Sequence, residues 1–287
     1  MPKYGIVGCG FTGVRLARLL KARGHEVVAS RRNVSGLARL ESEGIQVRSV
    51  DLASGSGLHE LDACDGLIHL APTPETDEAI EKEVRRLGAH FAGRTLVYGS
   101  TTGAFGRQPE GAWVDERSPT GPLQDRGARR KAYEVQLQAA EVELRIVRIA
   151  GIYGPGRSMF DSLKRGIVLF EGGPPTSRIH VEDLARLLAA SLDPNAPALV
   201  VGCDREPAPT LEVARFACQL SGQPLPPIDS IEEAARRMSP LAKELRLSGR
   251  RCRSVVRDDL IGSLRYPTYR EGLEAIWAAS RPPSPQA

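Results

Sequence analysis

Residues 3–13 read Lys3-Tyr4-Gly5-Ile6-Val7-Gly8-Cys9-Gly10-Phe11-Thr12-Gly13. An apolar run that predicts a strand passes directly into the spacing G-x-G-x-x-G. Val14, Leu16, Ala17, Leu19 and Leu20 then predict a helix ended by Gly24. Each glycine has a separate task in such a strand–turn–helix. Gly8 permits the tight turn, Gly10 lets the main chain approach a diphosphate with no Cβ between, and Gly13 brings the helix close to the strand. Phe11 and Thr12 fall in the first helical turn, whose unpaired N–H groups face an anion.

The same alternation continues outward from this stretch. Strands are predicted over residues 26–30, 45–50, 66–70, 94–98 and 145–149, and helices over 36–43, 75–91 and 126–144. Strand and helix in steady succession predict parallel strands joined by right-handed crossovers, which is a doubly wound α/β sheet. Beyond Tyr153 the pattern loosens into Gly/Pro punctuation such as Gly172-Gly173-Pro174-Pro175, with helices predicted over 181–192, 211–221 and 231–237. The expected division is a dinucleotide-binding domain over 1–155, a smaller substrate lobe interleaved with the sheet over 156–278, and a flexible tail over 279–287.

Composition narrows the classes of function. The chain has 287 residues, 41% hydrophobic and 26% charged, which suits a packed core. Thirty-nine Lys and Arg against thirty-five Asp and Glu give a formal charge of +4, too even to argue for nucleic acid, and no nucleic-acid motif is present. No apolar run reaches roughly 18 residues, so no membrane partner is expected. The five cysteines are widely spaced, and with the five histidines they form no metal set. Unpaired, widely spaced thiols and a first strand that starts almost at Met1 fit a cytoplasmic protein. Neither a serine nucleophile elbow nor a P-loop is found.

The end of the second strand bears on the choice of dinucleotide. An acidic residue about 20 positions past the glycines would hold a ribose 2′-hydroxyl. Here the strand ends Ser30-Arg31-Arg32, whose guanidinium groups suit a 2′-phosphate instead. NADP(H) is therefore the favoured cofactor, with NAD(H) open.

With these residues in view, the chain resembles the extended short-chain dehydrogenase/reductase family, also called the NAD-dependent epimerase/dehydratase family, over roughly residues 3–275. Asp51-Leu52 resembles the family's adenine-contacting pair. His69-Leu70-Ala71-Pro72 resembles its H-L-A-A segment beside the adenosine ribose. Ser100-Thr101-Thr102-Gly103-Ala104-Phe105-Gly106 resembles S-S-x-x-V-Y-G and places Thr101 at the catalytic Ser/Thr position. Arg148-Ile149-Ala150-Gly151-Ile152-Tyr153-Gly154-Pro155-Gly156 is similar to R-P-x-x-x-Y-G-P-G, which carries Ile149 past the nicotinamide. Arg178-Ile179-His180-Val181-Glu182-Asp183 and Arg265-Tyr266-Pro267-Thr268-Tyr269-Arg270-Glu271-Gly272-Leu273 resemble two stretches of the substrate lobe. The resemblance implies a Rossmann-type sheet with a small C-terminal substrate lobe, a small polar, sugar-derived or anionic substrate, and a homodimer formed through the long helix.

The family's catalytic Y-x-x-x-K is missing. Alignment on Glu134 puts Arg126 at the Tyr position and Arg130 at the Lys position, which resembles an atypical subgroup. A guanidinium stays protonated and cannot serve as the acid/base. Spaced i and i+4, Arg126 and Arg130 share a helical face and aim positive charge at an anionic substrate or the cofactor. Tyr133, two turns further along, reads as a core aromatic. Arg157, His180 and Arg251 are further candidates to meet an anionic group. Two readings stand open: an NAD(P)-dependent oxidoreductase or epimerase/dehydratase-like enzyme that uses Thr101, and a non-catalytic NADP(H)-binding redox sensor.

Overall fold

The computed structural model describes residues 1–109, 111–121, 123 and 125–281; most of the expected tail at 279–287 lies outside them. Seven strands form the central sheet: β1 (Lys3–Val7), β2 (Glu26–Arg31), β3 (Gln46–Ser49), β4 (Gly66–His69), β5 (Thr95–Thr101), β6 (Glu143–Ile149) and β7 (Leu199–Gly202). Every neighbouring pair is parallel, and the spatial order is β7-β6-β5-β4-β1-β2-β3. The chain winds outward from β1 to β3, returns, and winds the other way from β4. The strand order therefore reverses between β1 and β4, and a crevice opens at their carboxyl ends. The structure is the doubly wound, Rossmann-type α/β sheet that the alternation predicts.

Successive side chains on a strand point to opposite faces, and both faces here are covered. Ile6, Ile68 and Val97 enter one core with Leu16 and Leu20 of helix α1 (Phe11–Ala22). Val7, Leu67 and Leu96 enter the other, with Ile80 and Leu87 of helix α2 (Asp77–Phe91) and Tyr133 and Leu137 of helix α3 (Asp125–Gln138). Helix α4 (Val181–Ala190) packs Leu184 and Leu188 beside α1. Two-sided burial is why these strands read as continuous apolar runs.

The structure shifts several predicted boundaries: the strand expected over 94–98 runs on to Thr101, and the strand expected over 145–149 begins at Glu143. The helix expected over 126–144 ends at Gln138. Ala139 and Ala140 close the last turn, and Glu143 donates its amide to the Arg94 carbonyl. Thr95 then pairs with Glu143, so ladder pairing with β5 outcompetes helical periodicity over Glu143-Leu144. β7 carries no expectation of its own, being four residues set between the punctuation at 194–197 and 207–209.

Outside the central sheet the chain builds short parallel pairs rather than a second large sheet. Gly151–Tyr153 pairs with Arg178–His180, and Trp113–Val114 pairs with Arg251–Cys252. The helices Thr210–Ser221 and Tyr269–Ser280 pack around Tyr153, Phe160, Tyr269 and Leu273. All five cysteines are free and buried.

Candidate functional site

A cleft of about 930 Å³ lies at the carboxyl ends of the strands. It gathers Gly8, Gly10, Phe11, Thr12 and Gly13 after β1, Leu70 and Pro72 after β4, and Thr101 at the end of β5. Ile149 of β6 and Arg126 and Arg130 of α3 complete these candidate residues. A second hollow of about 410 Å³, lined by Met1, Tyr4, Asp65 and Leu192, gathers none of them.

The three glycines differ as their spacing predicts. Gly8 has φ +82°, and a Cβ there would stand 2.4 Å from the Ala71 amide nitrogen, so the turn is wedged against the chain leaving β4. A Cβ on Gly10 would meet nothing nearer than 3.9 Å, so this backbone faces open space. A Cβ on Gly13 would lie 3.2 Å from Cys9 Sγ and 3.4 Å from Ile6, the close helix–strand approach. The amides of Gly8 and Cys9 both donate to the Ser30 carbonyl, at 3.0 and 2.9 Å, which ties the loop to β2. No side chain caps α1, so its first-turn amides stay available. A bare cradle at a helix N-terminus fits the diphosphate of a dinucleotide.

The other candidates are held in different ways. Ser30 is buried, and its hydroxyl donates to the Ile6 carbonyl at 2.9 Å. Arg31 and Arg32 stand exposed at the tip of β2, outside the cleft wall, and neither forms an ion pair among the described residues. The Asp51 carboxylate accepts from the Ala53 amide and the Ser54 hydroxyl, shaping the turn after β3. Leu52 is buried, its carbonyl accepting from Arg86, and Ala71 adjoins Gly8. Thr101 accepts the Gly103 amide at 3.1 Å while facing the cleft.

Arg126 and Arg130 share the cleft wall but not a role. Arg126 is exposed, whereas Arg130 donates to the Tyr98 hydroxyl at 2.9 Å and to the Gly99 carbonyl at 3.2 Å. Tyr133 is fully buried and stacked on Tyr98, with ring centroids 4.9 Å apart. Its hydroxyl bonds His69 Nε2 at 2.9 Å and donates to Glu83 at 3.3 Å. The Ala71 amide donates to His69 Nδ1, so the ring is the neutral Nε2–H tautomer. Burial, with Arg130 nearby, pushes the His69 pKa down to about 3, in keeping with that form.

Beneath the wall, Glu134 accepts from Ser100 at 2.7 Å and from both Nε and Nη2 of Arg148, at 3.0 and 2.7 Å. Desolvation works to raise this carboxyl, but the bonds from Arg148 and Ser100 outweigh it and hold the pKa low. The buried pair fixes α3 against β5 and β6. The phenols that line the cleft, Tyr153 and Tyr269, are both shifted upward, chiefly by desolvation.

The remaining anion-binding candidates separate. Arg157 lines the cleft. His180 is buried, accepts the Glu182 amide, and is kept neutral by burial, which lowers its pKa to about 4. Arg251 lies opposite Trp113, and its neighbour Arg250 reaches the cleft instead. Arg129, Arg165, Arg178, Arg246 and Arg250 also line the cleft, and none of them stands among the candidates that the sequence offers. Arg129 adjoins Arg130, and Arg246 stands four residues before Arg250, but the segments around 129, 165, 178 and 246–250 are far apart in the chain.

Fold and cleft together define a dinucleotide-binding α/β protein of the Rossmann type. Residues 6–202 match the NAD dependent epimerase/dehydratase family. The chain belongs to that family, and membership supports an NAD(P)-binding, oxidoreductase-like role. It is similar to a functionally unknown conserved protein from Silicibacter pomeroyi DSS, 33% identical, with a TM-score of 0.82 over 98% of this chain and 100% of that one. The enzyme WbmH of Bordetella bronchiseptica, solved with NAD+, shares the fold at TM-score 0.74 and 19% identity, over 96% of this chain and 97% of that one. Protein YeeZ of Escherichia coli K12 is 26% identical over 197 residues, 64% of this chain and 70% of that protein.

Proposed function

We propose that the chain binds NADP(H), or NAD(H) less tightly, in the Gly8–Gly13 cradle and acts on a small, polar, anionic substrate as an oxidoreductase or epimerase/dehydratase-like enzyme. The observation that carries this reading is the uncapped N-terminus of α1 above three glycines, at the point where the strand order reverses. Arg31 and Arg32, with no acid at the end of β2, support the 2′-phosphate. When bound, the nicotinamide would supply hydride exchange at a substrate carbon.

The chain's own groups would orient the substrate and its charge. Thr101 presents its hydroxyl at the end of β5 and would hydrogen-bond a substrate carbonyl or hydroxyl. Arg130 braces Tyr98 and Gly99 beneath that point, and exposed Arg126 would meet an anionic group. Neither arginine moves a proton, so the proton would pass through water at the Thr101 hydroxyl.

Mass spectrometry of the co-purifying dinucleotide, followed by calorimetric titration of NADP and NAD, tests the binding half. Heat with neither coenzyme sinks it. Turnover by Thr101→Val tests the catalytic half, and unchanged activity removes Thr101 from the mechanism. A second reading, a redox sensor without turnover, is favoured by the arginines at the Tyr and Lys positions and by the upward-shifted phenols. Tight binding with no oxidation of the reduced coenzyme across a panel of carbonyl compounds would select it.

A further inference from the structure

We infer that the cleft holds, beside the cradle of the glycine loop, a second anion site built for a polyanion without a nucleobase, with Arg246 as its central ligand. The inference rests on the function proposed above and names the substrate class of that same site. Eight guanidinium groups line the cleft against two carboxylates, Glu75 and Glu244. The excess of six positive charges is larger than the +4 of the whole chain, so everything outside the cleft carries a formal −2. None of the eight is in an ion pair among the described residues, although thirteen other arginines are. Cations gathered in one cleft in such excess focus its field on an anion. The glycine loop serves a dinucleotide's diphosphate through backbone amides, and Arg130, Arg178 and Arg250 are held by neutral oxygens of the chain, which leaves the other guanidinium groups for a second ligand.

Arg246 shows most clearly that a partner is missing. Its Nε and Nη2 are buried and unpartnered, Nη1 reaches only the Met238 sulfur at 3.6 Å, and the group lies 4.8 Å over the Phe170 ring. Buried charged donors need acceptors, and ligand oxygens would supply them. Its helix, Pro240–Leu247, buries none of its residues. The segment is anchored just beyond, where a Cβ on Gly249 would stand 2.4 Å from the Pro175 carbonyl and Arg250 Nε donates to Gly106 at 2.8 Å. Arg246 is thus carried on a lightly packed helix beside a fixed point.

The aromatic groups argue against a nucleobase. Bases are usually held by stacking on aromatic faces. Of the aromatic residues that line the cleft, Phe11 carries Arg15 and Arg157 over its ring, Tyr153 meets His180 edge-on at 84° and Tyr269 meets Phe216 at 87°, and both tyrosines are buried. Affinity then comes from charge, as for a bisphosphate, a pyrophosphate or a polycarboxylate.

Protein saturated with its preferred dinucleotide is titrated calorimetrically with inorganic pyrophosphate and, separately, with uridine diphosphate. Pyrophosphate is expected to bind, with uridine diphosphate less than tenfold tighter. Arg246→Gln and, from a different segment, Arg165→Gln are each expected to weaken pyrophosphate at least tenfold without changing dinucleotide affinity. Uridine diphosphate binding tenfold tighter or more overturns the inference in favour of a nucleotide pocket. No heat with pyrophosphate, or an Arg246→Gln variant that binds it as well as the parent, also overturns it. Failure of the dinucleotide titration instead removes the reading of the preceding subsection, and pyrophosphate titration of the unloaded parent and Arg246→Gln still decides this one.

Discussion

Replacing Gly10 by alanine separates binding from folding. Gly10 has φ −100°, a value any L-residue adopts, and its added Cβ would meet nothing within 3.9 Å. Alanine is a poorer N-cap than glycine, but it also reduces the freedom of the unfolded chain, by about 0.4–1 kcal/mol. These effects oppose each other, so stability should change by less than about 1 kcal/mol and Tm by no more than about 2–4 °C. The methyl group would, however, project into the space through which a diphosphate meets the α1 amides. Overpacking by one carbon costs about 1–3 kcal/mol. At 1.4 kcal/mol per decade, dinucleotide affinity should fall roughly 5- to 150-fold.

Gly8→Ala is the contrasting control. Its φ of +82° imposes a left-handed penalty of about 1–2 kcal/mol. A Cβ 2.4 Å from the Ala71 nitrogen and 2.6 Å from the Leu70 carbonyl carbon adds a backbone clash. That variant should lose fold stability first, seen as a fall in Tm. Thermal denaturation and calorimetric titration on both variants give the comparison. A folded Gly10→Ala protein that binds both coenzymes within twofold of the parent would refute the assignment of the loop.

Three other outcomes follow from named groups. Arg31→Ala with Arg32→Ala should weaken NADP by roughly tenfold or more, from charge-assisted bonds of about 1.5–3 kcal/mol, and leave NAD within twofold; equal losses for the two coenzymes would exclude a 2′-phosphate contact. Glu134→Gln leaves the Arg148 guanidinium buried without its counter-charge, so stability should fall by about 3–5 kcal/mol, read as a lower Tm or denaturant midpoint. Asp204 is buried with Oδ2 unpartnered, and desolvation pushes its pKa up to about 8. A carboxyl that holds its proton more tightly when folded stabilises the protein below its unfolded pKa and loses that contribution as pH rises toward 8; Asp204→Asn should therefore flatten the fall in Tm between about pH 4 and 8, and an unchanged slope would show that Asp204 does not drive it.

The parts of the fold visible in the sequence are those where local and tertiary demands agree. Ile6 and Val7 point to opposite cores, and both cores are apolar, so the strand reads as an unbroken run. The glycine loop is legible because each glycine answers a steric limit that no other residue meets. Where demands conflict, the pattern misleads. Glu143 and Leu144 continue a helical pattern, but the edge of β5 takes them into the sheet. Leu199–Gly202 offers four residues between prolines, too few to separate a strand from a loop.

The cleft was hidden for a different reason. Net charge is a sum over the whole surface, and a cleft's field depends on where opposite charges are absent. Thirteen arginines lie beside a carboxylate, as in Arg18–Glu43 and Arg270–Glu206, and contribute little beyond their own pair. The eight that line the cleft form no ion pair among the described residues, so a chain of nearly balanced composition encloses a strongly positive cavity. The arginines at positions 126 and 130 illustrate the same limit. Helical spacing predicts a shared face, and both do line the cleft, yet Arg130 is occupied by Tyr98 and Gly99 while Arg126 stands exposed. Periodicity can place two charges on one wall. Only the neighbours from β5, 31 and 32 positions away in the chain, decide which of them remains for a ligand.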